Sequence, residues 1–146
     1  GATVVCPPQP VVTPLFESRG TAVAVEAEET LLKLMPVTAL MGQLYAQQRT
    51  TQGWLEAQGV PPETAAAWTG AVYHCVTHGS ADAGPSTFRA LVEEQTPGGL
   101  NEQVVRSLGE AGAYDALAAA LDACLGRITS ACGCAAPAPA GPEEAC

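Results

Sequence analysis

The sequence predicts a mainly α-helical fold, a helical bundle of the dimerisation type preceded by a short β-α-β unit. Three observations lead to this prediction. Hydrophobic residues make up 47% of the 146 residues, which is enough for a sizeable core. Beyond residue 27 the apolar residues recur mostly at helical spacing. Before it, β-branched and apolar residues are concentrated in the segments 3–6 and 21–25, as is typical of strands.

Residues 1–26 are predicted to form one strand-helix-strand crossover. The segments 3–6 (TVVC) and 21–25 (TAVAV) supply the strands, and the segment 10–19 between them spaces its apolar residues as in a short helix. Such a crossover is the repeating unit of an α/β sheet. Because parallel strands normally belong to larger sheets, we interpret residues 1–26 as the last unit of a sheet whose earlier strands are missing.

The rest of the chain is predicted to form helices followed by a low-complexity tail. Pro36 is expected to kink the first helix and Gly42 to break it. Residues 129–146 are rich in Ala, Pro and Gly and are predicted to be a mobile tail. The expected domains are therefore 1–26, 27–128 and 129–146. The predicted helices span residues 28–58, 62–78, 85–95, 100–108 and 113–128.

Charge and apolar patterning exclude several classes of partner. Six basic residues against fifteen acidic residues give a net charge of −9, which disfavours nucleic acid and anionic membranes as partners. The apolar stretch 116–121 is far shorter than the roughly 18 residues that a membrane span needs. No basic and apolar leader opens the chain, so a cytoplasmic location is expected. The predicted helices are apolar over wide angles, which indicates burial against a second subunit in a homodimer.

Three segments between residues 30 and 128 resemble pyrroline-5-carboxylate reductases, in the same order and at similar spacing. The most informative is a Thr-Pro-Gly-Gly turn that is followed by a helix, a glycine-containing bend and a final amphipathic helix. The segments are the run 92–128, with its turn at 96–99 and its bend at 108–113 (LGEAGA), the stretch 37–42 (VTALMG) and the join 55–61 (LEAQGVP).

The resemblance implies a protein of two parts, a dinucleotide-binding Rossmann domain and an all-helical domain that interleaves with that of a second subunit and builds the substrate pocket. The intact protein would be an NAD(P)H-dependent oxidoreductase of proline biosynthesis. It would transfer hydride to a cyclic imine, or a related keto acid, that carries a carboxylate. Residues 1–26 would be the Rossmann remnant. Because the glycine-rich fingerprint is absent from the sequence, we expect this chain alone to bind no cofactor and to have no reductase activity.

The candidate substrate-binding residues form the turn between two predicted helices, and no catalytic residue is predicted beside them. The two glycines allow close approach of the backbone to a ligand, and the N–H groups at the start of the next helix favour a carboxylate. Thr96 is expected to cap that helix, and the Asn101 amide to donate to the ligand where the resembled family usually has a hydroxyl. The competing interpretation is a turn that only connects two helices. The candidates are Thr96, Pro97, Gly98, Gly99, Leu100 and Asn101.

Two groups of residues have the chemistry of metal ligands but are not expected to hold a functional ion. His74 and His78 are spaced i, i+4 on a predicted helix, and Asp82 lies beyond the expected end of that helix. We therefore expect packed or solvated histidines. The other group lies in the tail, lacks an evident fourth ligand, and consists of Cys132, Cys134 and Cys146.

Three functions remain open from the sequence. The leading hypothesis is the dimerisation and substrate-pocket domain of a pyrroline-5-carboxylate-reductase-like oxidoreductase. The first alternative is a non-catalytic helical module that assembles homodimers and has no occupied pocket at the turn. The second is a small metal-binding protein that uses His74, His78 and the tail cysteines.

Overall fold

The computed structural model describes residues 1–132 and confirms the mainly α-helical prediction, with a short two-stranded parallel sheet followed by helices. The chain forms two compact units. One comprises Gly1–Thr38 together with the described part of Ala116–Cys146, and the other comprises Ala39–Asp115. Within residues 1–132, no helix is long and apolar enough to cross a bilayer.

The first unit opens with the predicted strand-helix-strand crossover. Strand β1 (Ala2–Val5), helix α1 (Val12–Glu17) and strand β2 (Thr21–Ala24) follow one another. The strands pair in parallel, in a register that runs from Ala2 opposite Thr21 to Val5 opposite Ala24. Val5, at the end of β1, is buried. The sequence pattern therefore placed both strands to within one residue.

The next helical stretch is interrupted at Pro36, as the sequence predicts, but not at Gly42. Helix α2 (Glu28–Leu34) gives way to a 3₁₀ segment over Met35–Ala39 that contains the buried Pro36. Helix α3 (Leu40–Ala57) then runs straight through Gly42, so the expected break there is wrong. The physical reason is that glycine keeps its backbone N–H and costs a helix about 1 kcal/mol, against about 3 kcal/mol for proline.

The second unit contains the contact between α3 and helix α4 (Pro62–Gly79). Pro62 occupies the first turn of α4, where a missing N–H costs nothing. One face of α4 carries Ala65, which is fully buried, Thr69, which is also buried, and Tyr73. The Tyr73 hydroxyl lies 3.2 Å from the Thr51 hydroxyl of α3, so this face packs on α3. The small side chain of Ala65 leaves room for α3 at this contact.

Three further helices complete the described chain. Helices α5 (Thr87–Glu93) and α6 (Leu100–Glu110) belong to the second unit, and helix α7 spans Ala113–Cys132. α7 begins after Gly112, whose φ of +73° suits glycine. It continues four residues into the predicted tail, and the buried Thr129 there donates its hydroxyl to carbonyl groups one turn back. The remainder of the predicted tail, 133–146, lies outside the described residues.

Few of the side chains that the structure describes are buried. Among the residues whose side chains the structure describes, the buried ones are Val5, Pro36, Ala65, Thr69 and Thr129. Large apolar residues lie instead on exposed helix faces. Since a folded domain gains most of its stability by removing such residues from water, apolar faces left exposed in one chain indicate a contact with a partner.

Candidate functional site

The predicted Thr-Pro-Gly-Gly turn connects α5 to α6 with a defined geometry. The Gly99 N–H donates to the Thr96 carbonyl oxygen at 2.8 Å, which closes a four-residue turn. Pro97 holds the second position, and Gly98 holds the third with φ of +74°. These are the features of a type II turn, which needs glycine at its third position. The turn is therefore locally determined by its own sequence.

The start of α6 is not capped by Thr96, so that prediction is wrong. Gly99 is the N-cap residue of α6, and no side chain caps the helix there. The Thr96 backbone carbonyl is already engaged by Gly99, in the turn itself. Glu102 instead reaches back from the first turn of α6, and its carboxylate accepts a hydrogen bond from the Gly98 N–H.

Glu102 contacts the turn directly, and it is not among the residues that the sequence analysis selected. It is the third residue of α6, where a glutamate commonly turns back to an unpaired N–H ahead of the helix. That signal was present in the sequence. The Glu102 carboxylate accepts a hydrogen bond from one of the backbone amides that a ligand carboxylate would use. It also places a negative charge there.

Gly99 also has a steric reason to lack a side chain. A Cβ atom built on Gly99 would lie 2.8 Å from the Thr96 carbonyl oxygen, closer than real Cβ atoms approach backbone. At Gly98 the surroundings are open, and the constraint is the positive φ alone. The absence of a side chain at Gly99 therefore serves the closure of the turn.

A small cavity of about 230 Å³ lies at the turn, and predicted residues line it. Its walls are Thr96, Gly99, Leu100 and Asn101. Pro97 and Gly98 are exposed in the same turn but do not line this cavity. Four of the six candidate residues thus come together around a space that suits a molecule the size of a small cyclic acid.

A larger groove of about 500 Å³ lies beside the turn and shares Asn101 with the small cavity. Three helices form it: α4, α5 and α6. Its polar side chains, Ser80, Gln95 and Asn101, are few. The apolar side chains that line it are Val76, Phe88, Leu91, Val92, Val104 and Val105.

Two helices of the second unit carry apolar stripes that face solvent. The α4 stripe (Trp68, Val72 and Val76) and the α6 stripe (Leu100, Val104 and Leu108) each repeat at i, i+4, i+8. All six side chains are exposed, with Leu100 at 80% and Val76 at 68% of full exposure. Stripes of this kind normally face a protein core or a partner.

The connection between β1 and α1 does not fit a dinucleotide. In Rossmann crossovers the pyrophosphate lies on backbone N–H groups of a glycine-rich turn at the start of a helix. Here the connection contains no glycine, and Pro7, Pro8 and Pro10 lack a backbone N–H. Helix α1 is also only six residues long. The β1–α1 connection therefore lacks the backbone donors that a pyrophosphate would need.

The histidines and thiols fall into separate places. His74 and His78 are both exposed on α4. Within residues 1–132, no group of three or more His, Cys, Asp or Glu side chains is arranged to hold a metal ion. Cys6, Cys75 and Cys124 are free thiols. Cys134 and Cys146 lie outside the described residues.

Comparisons of the chain with protein-family models, with curated proteins and with solved structures found no match. Neither the fold nor the turn is therefore assigned to a family. What the chain does has to be inferred from the turn, the groove and the apolar stripes.

Proposed function

We propose that this chain is a helical homodimerisation domain that forms a pocket for a small carboxylate, as in a pyrroline-5-carboxylate-reductase-like oxidoreductase. The observation that carries the proposal is the exposure of the α4 and α6 stripes in a chain with so few buried side chains. In this proposal the intact protein lies in the cytoplasm. Hydride would come from NAD(P)H bound by a separate Rossmann domain.

The hydrophobic effect supports the dimer. Burying one large apolar side chain contributes about 1.5–3 kcal/mol, and a lone chain leaves both stripes in water. Each chain carries both stripes. In a two-fold symmetric dimer, contact between the α6 stripe of one protomer and the α4 surface of its partner would therefore occur twice. A second copy of this chain is therefore the partner that we propose.

The net charge of −9 acts against this association. Two protomers of like charge repel each other, and salt screens that repulsion over about 10 Å at 0.1 M. We therefore expect the dimer to strengthen as ionic strength rises. That direction is typical of an apolar interface between like-charged partners and opposite to that of an interface held by ion pairs.

The ligand is inferred from the small cavity at the turn. Asn101 offers an amide N–H₂ group at its wall, which can donate to a carboxylate. The N-terminus of α6 has unpaired N–H groups that favour an anion. A cyclic imine or keto acid with one carboxylate matches both the size of the cavity and these donors.

Two measurements test the proposal. In sedimentation equilibrium at micromolar concentration, the mass should be twice the 14.8 kDa of one chain, and a constant mass of one chain would contradict the dimer. In ¹⁵N NMR, titration with proline should shift the amide signals of Gly99 and Asn101. Unchanged signals at saturating proline would contradict the pocket.

The second candidate is a homodimerisation module without a ligand, and one observation favours it. Glu102 already satisfies the Gly98 N–H and places a negative charge at the turn. This candidate predicts the dimer but no shift with proline. The two measurements therefore separate the candidates, because the mass tests the interface and the titration tests the pocket.

A further inference from the structure

Two histidine rings on α4 face each other across one helical turn. His74 and His78 lie four residues apart, so their side chains project from the same side of the helix. Their ring centroids are 5.8 Å apart and their planes differ by 17°. Both residues are exposed, so an ion can reach the rings directly from solvent.

The spacing of the rings is compatible with one shared ion. Metal–imidazole nitrogen distances are about 2.0–2.1 Å, so two rings that bind one ion in octahedral or tetrahedral coordination have centroids about 4.5–5.2 Å apart. The observed separation of 5.8 Å is slightly wider, so the rings have to turn toward the ion. The torsion that rotates each ring about its Cβ–Cγ bond has a broad minimum, so little energy is needed to aim a nitrogen from each ring at a common point.

We propose that His74 and His78 bind one divalent transition-metal ion through one ring nitrogen each, with water in the remaining coordination positions. Neutral imidazole suits Cu²⁺, Ni²⁺ and Zn²⁺, and the first of these binds such nitrogen sites most tightly. No third His, Cys, Asp or Glu joins the pair within the described residues. Within those residues, the rest of the coordination sphere is therefore left to water.

This proposal is independent of the proposed dimer and pocket. The pair lies at the C-terminal part of α4, and neither histidine lines the groove or the small cavity. An ion that bridges residues one turn apart also links two turns of α4. We therefore expect bound metal to raise the midpoint of thermal unfolding.

Calorimetric titration of the full chain with Ni²⁺ tests the proposal. The wild type should bind one Ni²⁺ per chain, and His74→Ala and His78→Ala should each weaken binding at least tenfold. Cys75→Ser, an exposed thiol beside the pair, should leave the affinity unchanged. Binding that survives both histidine substitutions, or that is lost in Cys75→Ser, would overturn the two-histidine site.

A control that keeps the number of histidines separates chelation from simple histidine content. The double substitution Cys75→His, His78→Ala uses the exposed position of Cys75 and leaves two histidines at neighbouring positions of α4, where side chains do not face each other. It should bind Ni²⁺ as weakly as the single alanine variants, with an unchanged helical circular dichroism spectrum. Wild-type affinity in this variant would overturn the proposal. With Cu²⁺, the electron paramagnetic resonance spectrum should show two equivalent nitrogen ligands, and a single nitrogen would contradict it.

Discussion

The backbone N–H of Gly98 donates a hydrogen bond to the carboxylate of Glu102, four residues further along the chain. A carboxylate of the chain itself is therefore already bound at the turn. A ligand carboxylate at the same turn has to replace Glu102 or bind beside its charge. Two unit charges about 4 Å apart interact by about 1 kcal/mol in water, which corresponds to about fivefold in affinity.

The substitution Glu102→Gln should therefore strengthen the binding of a small carboxylate. The glutamine oxygen can still accept from Gly98, but the negative charge is gone. We expect proline to bind about fivefold more tightly to Glu102→Gln than to the wild type, as measured by NMR titration. Glu110→Gln, at the other end of α6, is the matched control and should leave the affinity as it is. Equal affinity in all three proteins would exclude a ligand carboxylate near Glu102.

A pair of glycine substitutions tests the local geometry of the turn. In Gly99→Ala the new Cβ would lie 2.8 Å from the Thr96 carbonyl oxygen, so the turn must shift. We expect the free energy of unfolding to fall by about 1–3 kcal/mol in urea denaturation. In Gly53→Ala, within α3, the added Cβ meets nothing within 4 Å. That variant should be more stable than the wild type by about 0.5–1 kcal/mol, and the reverse order would contradict the turn geometry.

A charge placed on the α6 stripe tests the proposed interface. Val104 is exposed in the single chain, so Val104→Glu costs little there. In the proposed dimer the same carboxylate would be buried without a partner, at a cost of several kcal/mol. We expect the dissociation constant of the dimer to rise at least 100-fold in analytical ultracentrifugation. Gln103→Glu adds the same charge one position away on an exposed site and should have a much smaller effect.

The buried hydroxyl of Thr69 offers a stabilising substitution. Its Oγ1 atom has no hydrogen-bond partner and lies on the face of α4 that packs on α3. Thr69→Val keeps the shape and removes the unpaired oxygen, so the free energy of unfolding should rise by about 1 kcal/mol. In Thr77→Val the lost hydroxyl is exposed and bonded to backbone carbonyls, so we expect a change close to zero. A destabilised Thr69→Val would mean that the oxygen has a partner after all.

The pair formed by Lys33 and Glu29 on α2 predicts a pH effect. The Lys33 ammonium lies 2.6 Å from the Glu29 carboxylate, and this hydrogen bond with its charge lowers the pKa of Glu29. A lowered pKa in the folded state stabilises the protein above the unfolded pKa, and the contribution is lost as pH falls through the folded pKa. ¹³C NMR should therefore show the Glu29 midpoint rise in Lys33→Met. An unmoved midpoint would mean that the exposed pair is not formed in solution.

The sequence predicted those features that depend on local chemistry. Pro36 ended α2 because a missing N–H cannot be compensated within a helix, and Gly98 took the one position of the turn that needs a positive φ. The break predicted at Gly42 does not occur, because the free-energy cost of one glycine is small beside the helix propensity of the other residues in an 18-residue helix. α7 continues to Cys132, four residues into the predicted tail, although the composition of that segment predicted no helix.

The candidate site was predicted only in part, because it depends on residues that are distant in sequence. The turn at 96–99 was located from its own motif. The groove was not, since Val76 of α4 and Phe88 of α5 meet there only after the chain has folded. The position of Glu102 is typical of a known helix-capping pattern. Its effect on a ligand, however, depends on which backbone amide donates to its carboxylate, and that follows only from the structure.

The short connection between α3 and α4 sets an order of events when the chain refolds. Residues 58–61 join two helices that pack on each other, and so short a loop closes in well under a microsecond. Two protomers at micromolar concentration, by contrast, meet at roughly 10⁵–10⁷ M⁻¹s⁻¹, which is once in about 0.1–10 s. In the proposed dimer, each helical hairpin would therefore form long before the partner chain arrives. Recovery of that dimer should follow second-order kinetics and slow in proportion as the solution is diluted.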